Sequence, residues 1–201
     1  MAGEEHLRNL HPINKTNYMI FLSAGHNSKS ITVKQDPGAI GNGYKEGDLT
    51  IEFRDLVAHE LDILGAKYIK DSDDETLQQY VNKINTGNGS VVIEYHLDAA
   101  SPEATGTTSL VEVDADRLDL ALAKELSQAT SSILAIKNRG VKSEADTRHK
   151  RLALMKENGI ICLHELCFIT NIEDVNKFMT KKKELAKLHA QILVKYEQII
   201  P

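Results

Sequence analysis

The chain has 201 residues, 41% hydrophobic and 26% charged, with a formal net charge of −5. That length suits one domain with a sizeable core, and the acidic balance gives no reason to expect nucleic acid as a partner. No run of about 18 apolar residues occurs, so no membrane-spanning helix is expected.

Residues 1–17 read as a polar arm that lacks the apolar segment of a secretory leader. The sequence therefore points either to a cytoplasmic start or to a leader already removed. "YMIFLSA" (18–24) is a buried-type strand, and "GHNSKS" after it has loop chemistry. "DPGAIGNGYKEGD" (36–48) reads as a long irregular loop because of its glycines and proline. Leu49, Phe53, Leu56, Val57, Leu61 and Leu64 then recur at helical spacing, with Gly65 as the stop. "AKYIK" (66–70) is a short strand, and "DSDDETLQQYVNKIN" opens with capping residues and reads as a helix. "SVVIEYH" (90–96) is a central strand, whereas "TTSLVEV" (107–113) reads as a strand nearer the sheet edge.

A long helix covers "RLDLALAKELSQATSSILAI", and "RLALMKENG" (151–159) fits either strand or turn. "IICLHELCFI" (160–169) is a further central strand. Asn171 is a good helix N-cap, and a basic helix closes the chain from about Lys181 to Ile199. Strands alternate with helices throughout, which predicts a single α/β domain: a mostly parallel central sheet with helices on both faces. Cys162 and Cys167 stand five apart in one strand, so the pleat sends them to opposite faces. They read as reduced core residues.

In such sheets ligands bind beyond the carboxyl ends of the strands. His26 follows the first strand, His96 ends the "SVVIEYH" strand, Glu165 lies late in the 160–169 strand, and Glu46 closes the glycine-rich loop. Two histidines and a glutamate form a zinc set that leaves a position open for water, and imidazole argues against magnesium or calcium. Glu165 sits in an apolar run, where an unpaired carboxylate is costly; beside a metal it can carry protons. The bland readings compete: a histidine after a strand is commonly a loop residue, and Glu46 before a helix commonly complements the helix dipole. His164 points away from Glu165 and reads as a satisfied core residue. His59 reads as helix surface, and His6, His11, His149 and His189 as solvated. The cysteines lack the CxxC spacing of a structural zinc site.

Taken together, "SAGHN…DPGAIGNGYKEGD", "VVIEYHLDAASPEATGTTSLVEV" and "ICLHELCFITNIEDV" resemble the zinc-dependent N-acetylmuramoyl-L-alanine amidases of the amidase-3 type, from about residue 18 to 198. The matching motifs are Gly25-His26, Glu46, His96 with Asp98 and Ala99, Gly106-Thr107, and Glu165-Phe168-Asn171. The chain departs from the pattern at Ser23, where the family usually has Asp, at Asn27 and Ser28, where glycines are common, and at Gly159, which replaces a frequent proline.

The resemblance implies that residues 18–201 form a zinc amidase catalytic domain. His26, Glu46 and His96 would hold Zn2+, and Glu165 would be the catalytic carboxylate. The implied substrate is peptidoglycan, cut at the amide between N-acetylmuramic acid and L-alanine of the stem peptide. The implied place of action is the periplasm or cell wall, reached as a phage or prophage lysin or by export. Two other readings stay open: another zinc amidohydrolase or carboxypeptidase-like peptidase, and a non-catalytic cell-wall-binding protein.

Overall fold

The computed structural model describes residues 19–87, 89–147 and 150–199; the expected polar arm, His6, His11 and His149 lie outside them. The strands are β1 (Ile20–Ala24), β2 (Ile40–Gly41), β3 (Tyr44–Lys45), β4 (Tyr68–Lys70), β5 (Val91–Asp98), β6 (Thr107–Val111), β7 (Asn138–Ser143) and β8 (Ile160–Phe168). The helices are α1 (Glu46–Ile63), α2 (Leu77–Lys83), α3 (Arg117–Leu134) and α4 (Ile172–Ile199). Six strands form one sheet in the order β4-β1-β5-β8-β6-β7, and β2 pairs with β3 as a separate hairpin. β4, β1, β5 and β8 run parallel, β6 is antiparallel to β8, and β7 is parallel to β6. The expected α/β domain with a mostly parallel sheet is the one observed.

The pleat divides the apolar strand residues between two cores. Ile20, Leu22, Val91, Ile93, Tyr95 and Cys162 pack with α1, α3 and α4. Phe21, Val92, Ile161 and Leu163 point the other way, towards Tyr80 of α2 and a short turn at Leu154–Met155. Helices therefore cover both faces, but unequally: three long ones on the first, only the seven-residue α2 on the second. Glu94, His96 and Glu165 continue the alternation of Val92 and Leu163 and stand on the thinly covered face.

Several elements differ from expectation for identifiable reasons. The 36–48 loop contains the β2–β3 hairpin, turned by Asn42 (φ 51°) and Gly43 (φ 83°). An Asn-Gly pair is favoured there because both central residues need positive φ. The first long helix starts at Glu46 rather than Leu49. α2 begins only at Leu77, where Thr76 and Gln79 form a capping box. The preceding acidic residues serve Arg54 instead, which is buried and pairs with Asp71 and Asp73 at 2.8 Å. β6 lies near the sheet edge as expected, but the edge itself is the unexpected polar strand β7. Helix α4 runs unbroken over 28 residues. Its first turn is capped by Asn171, whose Oδ1 accepts the Glu173 and Asp174 N–H groups.

Cys162 and Cys167 are free and buried, yet both lie in the larger core rather than on opposite faces. The β5–β8 register supplies the reason: His96 pairs with Glu165, but Asp98 pairs with Phe168. One extra residue on β8 after Glu165 makes a bulge and shifts the alternation.

His189, expected at the surface, is fully buried. Its Nε2 lies 2.9 Å from Thr130 Oγ1, which also lies 2.8 Å from His164 Nε2. His164 completes its bonds with Ser109 Oγ at 2.8 Å and is the satisfied core residue expected. Burial pushes the His164 pKa down to about 3, and burial with the nearby His164 pushes that of His189 well below normal. Both imidazoles are therefore neutral in the fold. Below pH ~6.5 the unfolded chain gains protons that the folded chain refuses, so folding weakens as pH falls through that value. In His189→Leu this penalty is absent at one position. The stability of wild type relative to that variant should fall by about 1.4 kcal/mol per pH unit below ~6.5, read from urea unfolding at pH 7.5 and 5. An unchanged difference would contradict a neutral buried His189.

Candidate active site

At the carboxyl end of β1 the chain turns sharply: Gly25 N–H donates to Tyr95 O at 2.7 Å, and His26 adopts φ 71°. The turn brings β1 against β5 so closely that a Cβ on Gly25 would stand 2.5 Å from His96 Nδ1. Gly38 (φ 67°) is similarly constrained, since a Cβ there would lie 2.7 Å from Glu46 Oε2. Backbone thus occupies the space in which side chains elsewhere would crowd the two histidines.

Glu46 is the meeting point. Its Oε1 lies 2.9 Å from His96 Nδ1 and accepts the Leu97 N–H at 3.1 Å. Its Oε2 lies 3.2 Å from His26 Nε2 and accepts the Ala39 N–H at 2.9 Å. One donor atom from each of His26, Glu46 and His96 falls within 4.8 Å of the others. Burial opposes ionisation of Glu46, but the hydrogen bonds and charges of both histidines hold its pKa far below the carboxylate range. Burial likewise opposes protonation of His26 and His96, yet the adjoining carboxylates raise both.

The fourth residue behaves differently. Glu165 pairs in register with His96 on one side and with Thr108 on the other. Its Oε2 is buried with no hydrogen-bond partner among the described residues. Burial pushes its pKa up to about 8, against the lowering effect of His96. Its own backbone is fixed, because Thr107 Oγ1 donates to Glu165 O at 2.7 Å. His26, Glu46, His96 and Glu165 line one cleft of about 530 Å3. The donors suit a divalent transition metal: two imidazole nitrogens and one carboxylate oxygen, facing a cleft that leaves coordination positions open. The orphaned Glu165 oxygen fits a site built for a further polar group.

The remaining motif residues act as scaffold. Asn171 caps α4 and donates from Nδ2 to Pro102 O at 2.9 Å. Asp174 accepts the Gly106 N–H at 2.9 Å and the Thr105 hydroxyl at 2.6 Å, which fixes the entry to β6. His164 is turned into the opposite core, and His59 is exposed on α1. Two carboxylates at the site escaped the sequence reading. Asp36 Oδ2 lies 2.9 Å from His26 Nδ1, and Glu94 Oε1 lies 3.6 Å from His96 Nε2. Glu94 carried the same signal that singled out Glu165: an acid within an apolar strand.

The family described as "Amidase_3: N-acetylmuramoyl-L-alanine amidase" matches residues 20–195. YqiI of Bacillus subtilis (strain 168) is 28% identical over 162 residues, covering 79% of this chain and 73% of that protein. The N-acetylmuramoyl-L-alanine amidase LytC of the same organism is 28% identical over 167 residues, covering 79% of this chain. The chain spans only 31% of the length of LytC. Among solved structures, the N-acetylmuramoyl-L-alanine amidase from Clostridium difficile 630 superposes with a TM-score of 0.75 at 19% identity, covering 92% of this chain and 99% of that one.

The contact between Gly25 and the His96 ring can be tested by filling it. Gly25→Ala should displace the ring and weaken metal binding at least about tenfold while the fold persists, since ligand placement tolerates little error. Metal titration and circular dichroism on the same sample check this. A Gly25→Ala protein that binds metal like wild type would show that the approach is not limiting.

Proposed function

The chain belongs to the Amidase_3 family of N-acetylmuramoyl-L-alanine amidases, and from that premise we propose a zinc-dependent mechanism in which His26, Glu46 and His96 hold the metal and Glu165 carries the proton. The reaction is hydrolysis of the peptidoglycan amide between N-acetylmuramic acid and L-alanine of the stem peptide. What supports the residue assignment is one observation: three donor atoms gather within 4.8 Å of one another, in the cleft that holds an unpartnered Glu165 oxygen.

An amide resists hydrolysis because water is a weak nucleophile and an amine a poor leaving group. Zinc, when bound, supplies Lewis acidity that brings the pKa of water towards ~7 and offsets negative charge on the amide oxygen. Glu165 accepts the proton of the attacking water and delivers it to the departing amine nitrogen, so the carboxylate is regenerated at the end of the cycle. Its buried setting favours the protonated form once the proton has arrived, while neighbouring positive charge favours the ionised form beforehand. Glu46 contributes a fixed negative charge, and the Ala39 and Leu97 N–H groups hold its two oxygens in place. Asp36 fixes the His26 ring from behind.

With zinc at +2, neutral histidines and ionised Glu46, an ionised Glu165 brings these four side chains and the metal to zero charge. The substrate lies outside the cytoplasm, so the enzyme acts in the periplasm or cell wall, as a released lysin or an exported protein. Among the described residues no helix is long and apolar enough to cross a membrane.

Glu165→Gln should retain zinc and lose turnover by about 100- to 10,000-fold, the range of a lost general acid–base group. His26→Ala should lose both zinc and turnover. Bound zinc is quantified in each protein, and digested peptidoglycan is analysed by mass spectrometry alongside plain peptides. Near-normal turnover in Glu165→Gln would rule out its role as proton carrier, and cleavage of plain peptides alone would reassign the substrate.

A further inference from the structure

Glu94 is a carboxylate without an evident use. It is 3% exposed in the middle of β5, two residues before His96 and on the same face. Among the described residues no hydrogen bond reaches its side chain, and its ion-pair contact is His96 Nε2 at 3.6 Å. A buried carboxylate in that position is destabilising unless a partner compensates it.

The His26 side of the site shows what such a partner does. The His26 ring uses Nε2 towards Glu46 and Nδ1 towards Asp36. Asp36 is itself held, accepting the Gly38 N–H at 3.1 Å, with its own N–H donating to Asn27 Oδ1 at 2.7 Å. The His96 ring is reversed: Nδ1 faces Glu46 at 2.9 Å, and Nε2 faces Glu94. Each imidazole therefore turns one nitrogen towards the shared carboxylate and the other towards a second, private one.

We infer that Glu94 is the positioning residue of His96, holding the Nε2–H so that the Nδ1 lone pair is presented to the metal. The inference rests on the zinc reading above and extends it to a residue outside the ligand set. A metal-binding imidazole commonly donates its other N–H to a carboxylate, which fixes the tautomer and raises the basicity of the ligand nitrogen. At 3.6 Å the contact is longer than a hydrogen bond; a metal held on Nδ1 would leave Nε2 as the protonated nitrogen, facing Glu94.

The test measures zinc affinity by chelator competition, which does not depend on turnover. Wild type, Glu94→Gln and Glu94→Ala are compared, with thermal unfolding of the zinc-free proteins as a control for folding. Loss of a carboxylate behind a ligand histidine should weaken zinc binding by about 10- to 100-fold in Glu94→Ala. Glu94→Gln should fall between, because its amide oxygen still accepts the Nε2–H but without charge assistance. In nitrogen-15 spectra of the zinc-loaded proteins, the His96 Nε2–H should be protected from exchange in wild type and lost from view in Glu94→Ala. Where Glu94→Ala does not fold, the near-isosteric Glu94→Gln carries both measurements. Wild-type affinity with an unchanged Nε2–H signal in Glu94→Gln would overturn the positioning role. A wild-type protein that binds no zinc would give a different result, overturning the metal reading itself and this role with it.

Discussion

A single buried carboxylate joins four parts of the chain. Glu46 opens α1, receives an N–H from the loop before the hairpin and another from the β5 end, and places one oxygen beside each histidine. A carboxylate in that setting is stable only with its oxygens satisfied and opposing charge close by. Those requirements dictate much of the surrounding backbone. A glycine must follow β1 so that the His96 ring can lie against it, and Gly38 must leave room for the Glu46 oxygen. The β2–β3 hairpin reverses the chain so that Lys45 leads straight into the helix carrying Glu46. Its turn is anchored far away, since Asn42 Nδ2 donates to Ile169 O at 2.8 Å just past β8. The loop is thus fastened at both ends of the site.

The sheet makes this arrangement possible through its uneven covering. α1, α3 and α4 bury one face, leaving the other with α2 and a short turn. Polar residues at the carboxyl ends of β1, β5 and β8 can therefore face a cleft instead of a helix, in keeping with the placement of ligands in open α/β sheets. The reversed β6 contributes from its opposite end: it starts where β8 finishes, and the Thr107 hydroxyl ties down the Glu165 backbone. Immediately after Glu165 the β8 bulge restores apolar side chains to the larger core. The strand can then carry a charged residue on one side without losing the packing of its last turn. On the flank, buried Arg54 draws together Asp71 and Asp73 from the loop after β4. Asp71 in turn accepts the Ala24 N–H at 3.1 Å, which supports the turn leading to His26.

The parts of this structure that were legible in the sequence are those with a strong local pattern or an out-of-place charge. Continuous apolar runs marked β1, β5 and β8, and Glu165 was conspicuous as an acid inside one of them. β7 was invisible because "NRGVKS" has neither alternation nor β-branched density, and only its position beside β6 makes it a strand. His189 looked solvated within a lysine-rich segment; a helix wide enough to turn that face inward hides it beside Thr130 and Tyr95. The faces of the two cysteines followed from strict alternation, which a bulge interrupts without any compositional sign. The β2–β3 hairpin is a different case, because the Asn-Gly pair stood in plain view and was outweighed by the surrounding glycines.

Four of the carboxylates that line the cleft, Asp36, Glu46, Glu94 and Glu165, differ most in the number of their partners, and that difference sorts their roles. Glu46 meets two imidazoles and two backbone N–H groups, so it is fixed in its charged form. Asp36 meets His26 and a backbone N–H, and its ionisation is favoured by the former even though burial opposes it. Among the described residues Glu94 pairs only with His96, and at a longer distance. Glu165 keeps one oxygen unpartnered, and burial draws its pKa towards neutrality. A group that must hold a cation or a ring benefits from being locked as an anion. A group that must take up and release a proton benefits from having few competing bonds and a pKa near the working pH. The same functional group, placed around one cleft in four degrees of satisfaction, can therefore divide binding, orientation and proton transfer between neighbouring side chains.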